Sequence, residues 1–284
     1  MQILAATDFS TRSNRALRQA GLLAQPVQAQ LHLLHVVDDD QPQDLVRMEE
    51  REAGRLLAEQ ACSMPELRGV QSHPVVVRGD PFDGILRTAA AVQADLIIMG
   101  SHRKQLLLDI FIGTTVERVI RKGAFPVLMV SNEAQRRYEN VIAPVDMSAP
   151  AANALLVAVS TGLIGDKGAT LLHAFSPAAK GSMRLADAAE ASINEYIESE
   201  RQRAIAELTR FLEANELSHG RWYFRVEEGR AMHVISDAVS RLRPDLLVMG
   251  THGRSGLLKT LLGSVTEEAL RSLSVDILAV PAKS

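Results

Sequence analysis

Cysteine is all but absent from this chain. Cys62 stands alone among 284 residues, so no intrachain disulfide can form and no Cys-x-x-Cys pair is available for zinc. Aromatic residues make up only 4%, too few for the stacking surfaces that hold single-stranded nucleic acid. The formal net charge is -3, which removes the general electrostatic attraction to a phosphate backbone. No apolar run approaches the length that a bilayer requires. The chain opens straight into Ile3-Leu4-Ala5-Ala6, without the basic segment and apolar core of a signal peptide. These absences predict a cytoplasmic protein that binds neither nucleic acid nor membrane. Catalytic signatures are missing too. Lys259-Thr260 follows Leu258, so there is no Gly-Lys-Ser/Thr phosphate loop. Neither a Gly-x-Ser-x-Gly elbow nor a His-Glu-x-x-His pair occurs. Cys62 falls in a helical pattern and reads as a small packed side chain rather than a nucleophile.

What the chain does have is enough apolar sequence, 46% hydrophobic against 23% charged, to bury full cores, and it has it twice. Ile3 to Ser10 reads ILAATDFS and Val141 to Ser148 reads VIAPVDMS. Leu33-Leu34-His35-Val36 matches Leu171-Leu172-His173-Ala174, and Arg78-Gly79-Asp80-Pro81 matches Glu228-Gly229-Arg230-Ala231. Asp95 to Gly100, DLIIMG, matches Asp245 to Gly250, DLLVMG. Gly113-Thr114 then matches Gly263-Ser264, and the run at 126–130 matches that at 276–280. Matches in one unbroken order mean two copies of one module. The polar run 131–140 separates them, giving domains at 1–135 and 139–284.

Each copy alternates short apolar strands with helical patterns. Apolar positions at 16, 17, 20 and 23 predict an amphipathic helix over 13–24, and Leu45 to Gln60 predicts a second. Asp80 is a natural N-cap with Pro81 in the first turn. Thr114 to Glu117 and Ser264 to Glu267 both have capping-box spacing for a fourth helix. Five strands and four helices per copy predict an open α/β sheet, parallel, with helices on both faces. The spacing between matched residues grows from 138 to 150 between the second and third strands. Copy two therefore carries roughly a dozen extra residues there. Ser176 to Ser192 is assigned to that loop, followed by a long helix over 195–215 with Ile197, Ala204, Ile205, Leu208, Phe211 and Leu212 on one face.

The stretch from Met249 to Glu268 holds most of the functional signal. A strand runs into a loop with glycines at 250, 253 and 263, and the loop feeds a helix. Unpaired N–H groups and the helix dipole make such a junction a natural anion site; the alternative is a tight connection with glycines at positive φ and nothing bound. Asp8 and Asp146 sit at the carboxyl ends of the first strands, the edge where open α/β sheets bind ligands. Such a carboxylate can accept ribose hydroxyls, coordinate Mg²⁺ shared with phosphates, or close an Asp-x-Ser turn that starts the first helix. His102 and His252 lie in the glycine loops, where they either touch a phosphate or face solvent. His35 and His173, at the ends of the second strands, read as structural histidines.

Gly250-x-x-Gly253, nine residues, then Gly263-Ser264 resembles the nucleotide-binding loop of the universal stress protein family, and Asp146 and the last strand run fit that family too. The resemblance covers the chain twice. It implies two tandem five-stranded parallel sheets of order 3-2-1-4-5, with strands 1 and 4 flanking the ligand crevice. It also implies pairing of the two copies through their fifth strands as an internal pseudo-dimer, with a homodimer as a further assembly. By the same resemblance ATP or a related adenine nucleotide binds in copy two. Main chain at Ala174 would meet the adenine, Gly250, Gly253, Gly263, Ser264 and Val265 the phosphates, and Asp146 any Mg²⁺. Pro144, Val145 and Met249 complete that set. In copy one the matching positions are Thr7, Asp8, Val36, Gly100, Gly113 and Thr114, but Arg103 replaces the middle glycine, which implies a weaker or empty site. The expected protein is a stress-response nucleotide binder. No base is evident to activate water, so at most weak ATPase activity is expected. The alternatives are an interaction scaffold with empty loops and a slow nucleotide hydrolase.

Overall fold

The alternation of strand and helix patterns is realised in the computed structural model, which describes residues 1–101, 114–253 and 262–282. His102, Arg103, Lys104 and Gly113 lie outside the described residues. The first copy runs β1 (Gln2–Ala6), α1 (Thr11–Val27), β2 (Gln30–Val37), α2 (Gln43–Ser63), β3 (Gln71–Arg78), α3 (Pro81–Ala91), β4 (Leu96–Gly100), α4 (Thr115–Lys122) and β5 (Val127–Val130). The second runs β6 (Val141–Pro144), α5 (Ala149–Ser160), β7 (Ala169–Phe175), α6 (Lys180–Leu185), α7 (Glu190–Ala214), β8 (Trp222–Glu228), α8 (Ala231–Leu242), β9 (Leu246–Gly250), α9 (Ser264–Ser272) and β10 (Asp276–Val280).

Each half has the order 3-2-1-4-5, and the halves join into one ten-stranded sheet, β3-β2-β1-β4-β5-β10-β9-β6-β7-β8. Pairs within a half are parallel, while β5 and β10 meet antiparallel, with Leu128 opposite Leu278. Strands buried on both faces need continuous apolar sequence, and β5 and β10 are buried at every position. Alternate residues of β1 divide between two cores, Ile3 and Ala5 on one face of the sheet and Leu4 and Ala6 on the other. Both cores continue through the second half, via Ala143 and Leu171 on one face and Ile142 and Leu172 on the other.

The linker is tied to this junction. Asp276 accepts hydrogen bonds from Ser131 N (2.8 Å), Asn132 N (3.0 Å) and the Tyr138 hydroxyl (2.7 Å). Burial pushes the Asp276 carboxyl up from its ordinary value despite those donors, and burial beside Asp276 raises the Tyr138 hydroxyl well above its own.

Three sequence expectations are corrected, and the alternative reading of the glycine loop is set aside. The extra segment is not all loop, since it contains α6 and its last residues already belong to α7, which starts at Glu190. Cys62 is exposed, because the buried residues of α2 are Val46, Ala53 and Leu57 and Cys62 falls off that stripe. Ser264 is not a capping residue: the extended backbone lies at Gly263 (φ -61°, ψ 138°), which is the N-cap and makes no side-chain bond. The glycines at 100, 250, 253 and 263 do not adopt positive φ, so the loop does not use them for a left-handed turn.

Candidate functional site

Strand order places the ends of β6 and β9 side by side, and the ten copy-two residues named from the sequence converge there. Pro144, Val145, Asp146, Ala174, Met249, Gly250, Gly253, Gly263, Ser264 and Val265 all line one cavity of about 310 Å³. Its apolar wall also includes Leu172 of β7 and Ala231, Val234 and Ile235 of α8, which sequence reasoning missed. An apolar helix face looks the same whether it covers a core or a ligand. The only signal was the repeat at 228–231, which marked the turn before α8.

The loop glycines are explained by space. Added to Gly253, a Cβ would stand 2.8 Å from Asp146 Oδ2. At Gly250 it would meet Pro150 O at 3.0 Å, and at Gly263 it would meet Thr251 O at 3.3 Å. The loop is closed at its base: Thr251 N donates to Val280 O (2.8 Å), and Gly263 N donates to Thr251 O (2.7 Å). Thr266 Oγ1 donates to Gly250 O (2.8 Å), fastening the first turn of α9 to the end of β9. Several other helix starts at this edge carry a side-chain cap, although α8, beside the same cavity, does not. Ser10, Thr114 and Ser148 each accept from a backbone N–H of the first turn. The first turn of α9 has no such side-chain cap, so its N–H groups face the cavity with positive partial charge.

Asp146 serves the turn and faces the cavity at once. Its Oδ1 accepts from Ser148 N (3.1 Å) and Ser148 Oγ (2.5 Å), and Met147 between them is held at φ 60°. The same strained geometry recurs in the first copy, with Phe9 at φ 60° and Ser10 N donating to Asp8 Oδ1 (3.0 Å). Nothing in the sequence announces it, since neither Phe nor Met favours that region. Among the described residues no group of three metal-ligating side chains occurs. A single carboxylate facing a phosphate-sized crevice suits Mg²⁺ shared with ligand phosphates rather than an all-protein cage.

The histidines divide as their positions suggest. His35 Nδ1 lies 2.8 Å from Thr7 O, and His173 Nδ1 lies 2.7 Å from Val145 O, so both are satisfied structurally. His252 does not face solvent. Its Nδ1 lies 2.8 Å from Thr251 Oγ1, and its Nε2 is buried on the wall of the cavity with no partner among the described residues. A buried polar atom left this way is costly unless a ligand completes it.

The first copy keeps a crevice of about 360 Å³, lined by Thr7, Asp8, Val36, Gly100 and Thr114 among others. Its chemistry differs. Val145 and Ala151 are replaced by Thr7 and Ser13, joined by a 2.9 Å hydrogen bond, and Arg12 also lines the wall. Burial would raise the Asp8 carboxyl, but hydrogen bonds from Ser10 and Ser13 outweigh it and hold the group below its ordinary 3.8.

Comparison with known proteins agrees with this arrangement. The model of the universal stress protein family matches twice, over residues 1–131 and 137–281. Universal stress protein MJ0531 of Methanocaldococcus jannaschii is 31% identical over 137 residues, covering 45% of this chain and 81% of that protein. Universal stress protein E of Escherichia coli is 24% identical over 216 residues, covering 72% of this chain and 66% of that protein. A crystal structure of a universal stress protein from Archaeoglobus fulgidus matches the fold with a TM-score of 0.72 at 18% identity, covering 99% of this chain and 98% of that one. With a match in each half, the chain belongs to the universal stress protein family and carries its module twice.

Proposed function

We propose that the second domain binds ATP or a related adenine nucleotide, and that Asp146 would hold a Mg²⁺ bound with it. One observation carries this reading: Gly253 approaches Asp146 so closely that a Cβ would stand 2.8 Å from Oδ2, at the mouth of a loop that runs into an uncapped helix N-terminus. Phosphates would take the N–H groups of Ser264 and Val265, which supply positive potential without a lysine. The base would lie toward Ala174 against the apolar wall of Val234 and Ile235, and His252 Nε2 would find its partner on the ligand. Among the described residues the site offers electrostatic and apolar contacts, which suit the binding of a ligand. Domain limits of 1–135 and 139–284 are part of the same proposal, as is a weaker site in the first domain.

Calorimetric titration with ATP, ADP and AMP, with and without Mg²⁺, tests the reading. Saturable binding near one nucleotide per chain, lost in Gly253→Arg, is the expected outcome. No heat with any of them, and no thermal shift in excess nucleotide, would leave the interaction scaffold as the better account. A ligand at a hundred times its Kd adds about 2.7 kcal/mol of apparent stability, so the shift is readily measured.

A further inference from the structure

The ten-stranded sheet ends in β3 on one side and β8 on the other, and the two edges are built differently. Gly79 N donates to Val37 O, and Gly229 N donates to Phe175 O. With the registers of β2–β3 and β7–β8, the odd-numbered residues of β3 and β8 bond inward and the even-numbered ones point outward. On β3 the outward set includes Pro74, which has no N–H, so that edge is broken against further pairing. On β8 the outward set is Trp222, Phe224, Val226 and Glu228, and every donor is present. Tyr223 and Phe224 are 58% and 38% exposed. Being consecutive they lie on opposite faces, so the margin of the sheet is apolar above and below.

We infer that β8 is the surface on which two copies of this chain associate, edge to edge and antiparallel, about a two-fold axis at Phe224. The sequence of the strand selects that axis. Centred on Arg225, the strands would set two arginines against each other, and centred on Val226 they would put Phe224 against Glu228. Centred on Phe224, the two Phe224 residues meet and Trp222 stands opposite Val226. Tyr223 then lies beside Arg225, a cation–π pairing, and Glu227 stands opposite Arg221. An isologous contact of this kind closes on itself as a dimer and does not propagate into a fibre.

Sedimentation velocity of the full chain over a wide concentration range tests this. The expected result is a sedimentation coefficient that rises from monomer to dimer with concentration. Phe224→Lys, on an exposed position, and Val226→Pro, which removes one outward donor, should each remain monomeric while keeping the wild-type circular dichroism spectrum. Glu227→Arg should weaken the dimer by opposing Arg221, and Arg221→Glu combined with Glu227→Arg should restore it. A wild-type chain that is monomeric at every concentration overturns the proposal and leaves the edge to an extended segment of some other protein. A dimer that survives in both Phe224→Lys and Val226→Pro overturns it as well, because association then uses another surface.

Discussion

Replacing Gly253 by alanine tests the central contact of the site with a single methyl group. The new Cβ would stand 2.8 Å from Asp146 Oδ2, 0.6 Å inside the ordinary contact that begins at 3.4 Å. Asp146 cannot simply swing away, because its Oδ1 holds Ser148 N and Ser148 Oγ. Releasing a hydrogen bond to a charged group costs about 1.5–3 kcal/mol, and backing the loop away costs about 1–3 kcal/mol of the kind seen on overpacking. Relaxation takes the cheaper route, so Gly253→Ala should lose about 1–3 kcal/mol of stability. The loop then rests farther from the phosphates, and at about 1.4 kcal/mol per tenfold affinity for ATP should fall about tenfold to a hundredfold. Urea denaturation of Gly253→Ala, Asp146→Ala and the double variant isolates the cause. Without Oδ2 to strike, the alanine should cost little in the Asp146→Ala background, leaving a coupling energy nearly as large as the single effect. Losses that simply add, or an ATP affinity unchanged in Gly253→Ala, would refute the steric account.

Three further outcomes follow from contacts away from that loop. Arg121 bonds Glu117 of its own helix (2.7 Å, Glu117 side chain 5% exposed) and reaches Glu267 of the other domain (3.5 Å). Arg121→Met should therefore cost about 1–3 kcal/mol in urea denaturation, whereas Arg55→Met on the exposed face of α2 should cost under about 1 kcal/mol. Thr114→Ala removes the cap of α4 and should cost about 1 kcal/mol, with no change in nucleotide affinity at the second domain in the same titration. Because the folded-state pKa of Asp8 is depressed below 3.8, its stabilising effect is fully present above that value and is lost as pH falls through the folded one. The stability gap between wild type and Asp8→Asn, followed by denaturation at a series of pH values, should be constant above the ordinary value and close below it; a gap that widens on acidification would contradict the assignment.

Much of the arrangement was legible because the chain repeats itself. Two copies of DL-x-x-MG and of the Asp-x-Ser turn fix strands 1 and 4 without reference to their partners, and parallel strands in that order leave one crevice for Asp146 and the glycine loop. What escaped depends on contacts remote in sequence. From sequence, Gly253 reads as a residue that lets backbone approach a ligand, but the space it lacks is taken by Asp146, more than a hundred positions away. Gly263 and Ser264 both suit a helix start, and only the backbone places the cap at Gly263. Val234 and Ile235 follow the periodicity of any buried helix face, so their place on the cavity wall required the tertiary structure.

The most direct test of nucleotide binding in the second domain is photolabelling with an azido-adenine analogue of ATP, followed by peptide mapping. Label should appear on the segments around Ala174 or Val234–Ile235, be displaced by excess ATP with Mg²⁺, and disappear in Gly253→Arg. Label confined to first-domain peptides, or labelling that excess ATP does not displace, would contradict the account.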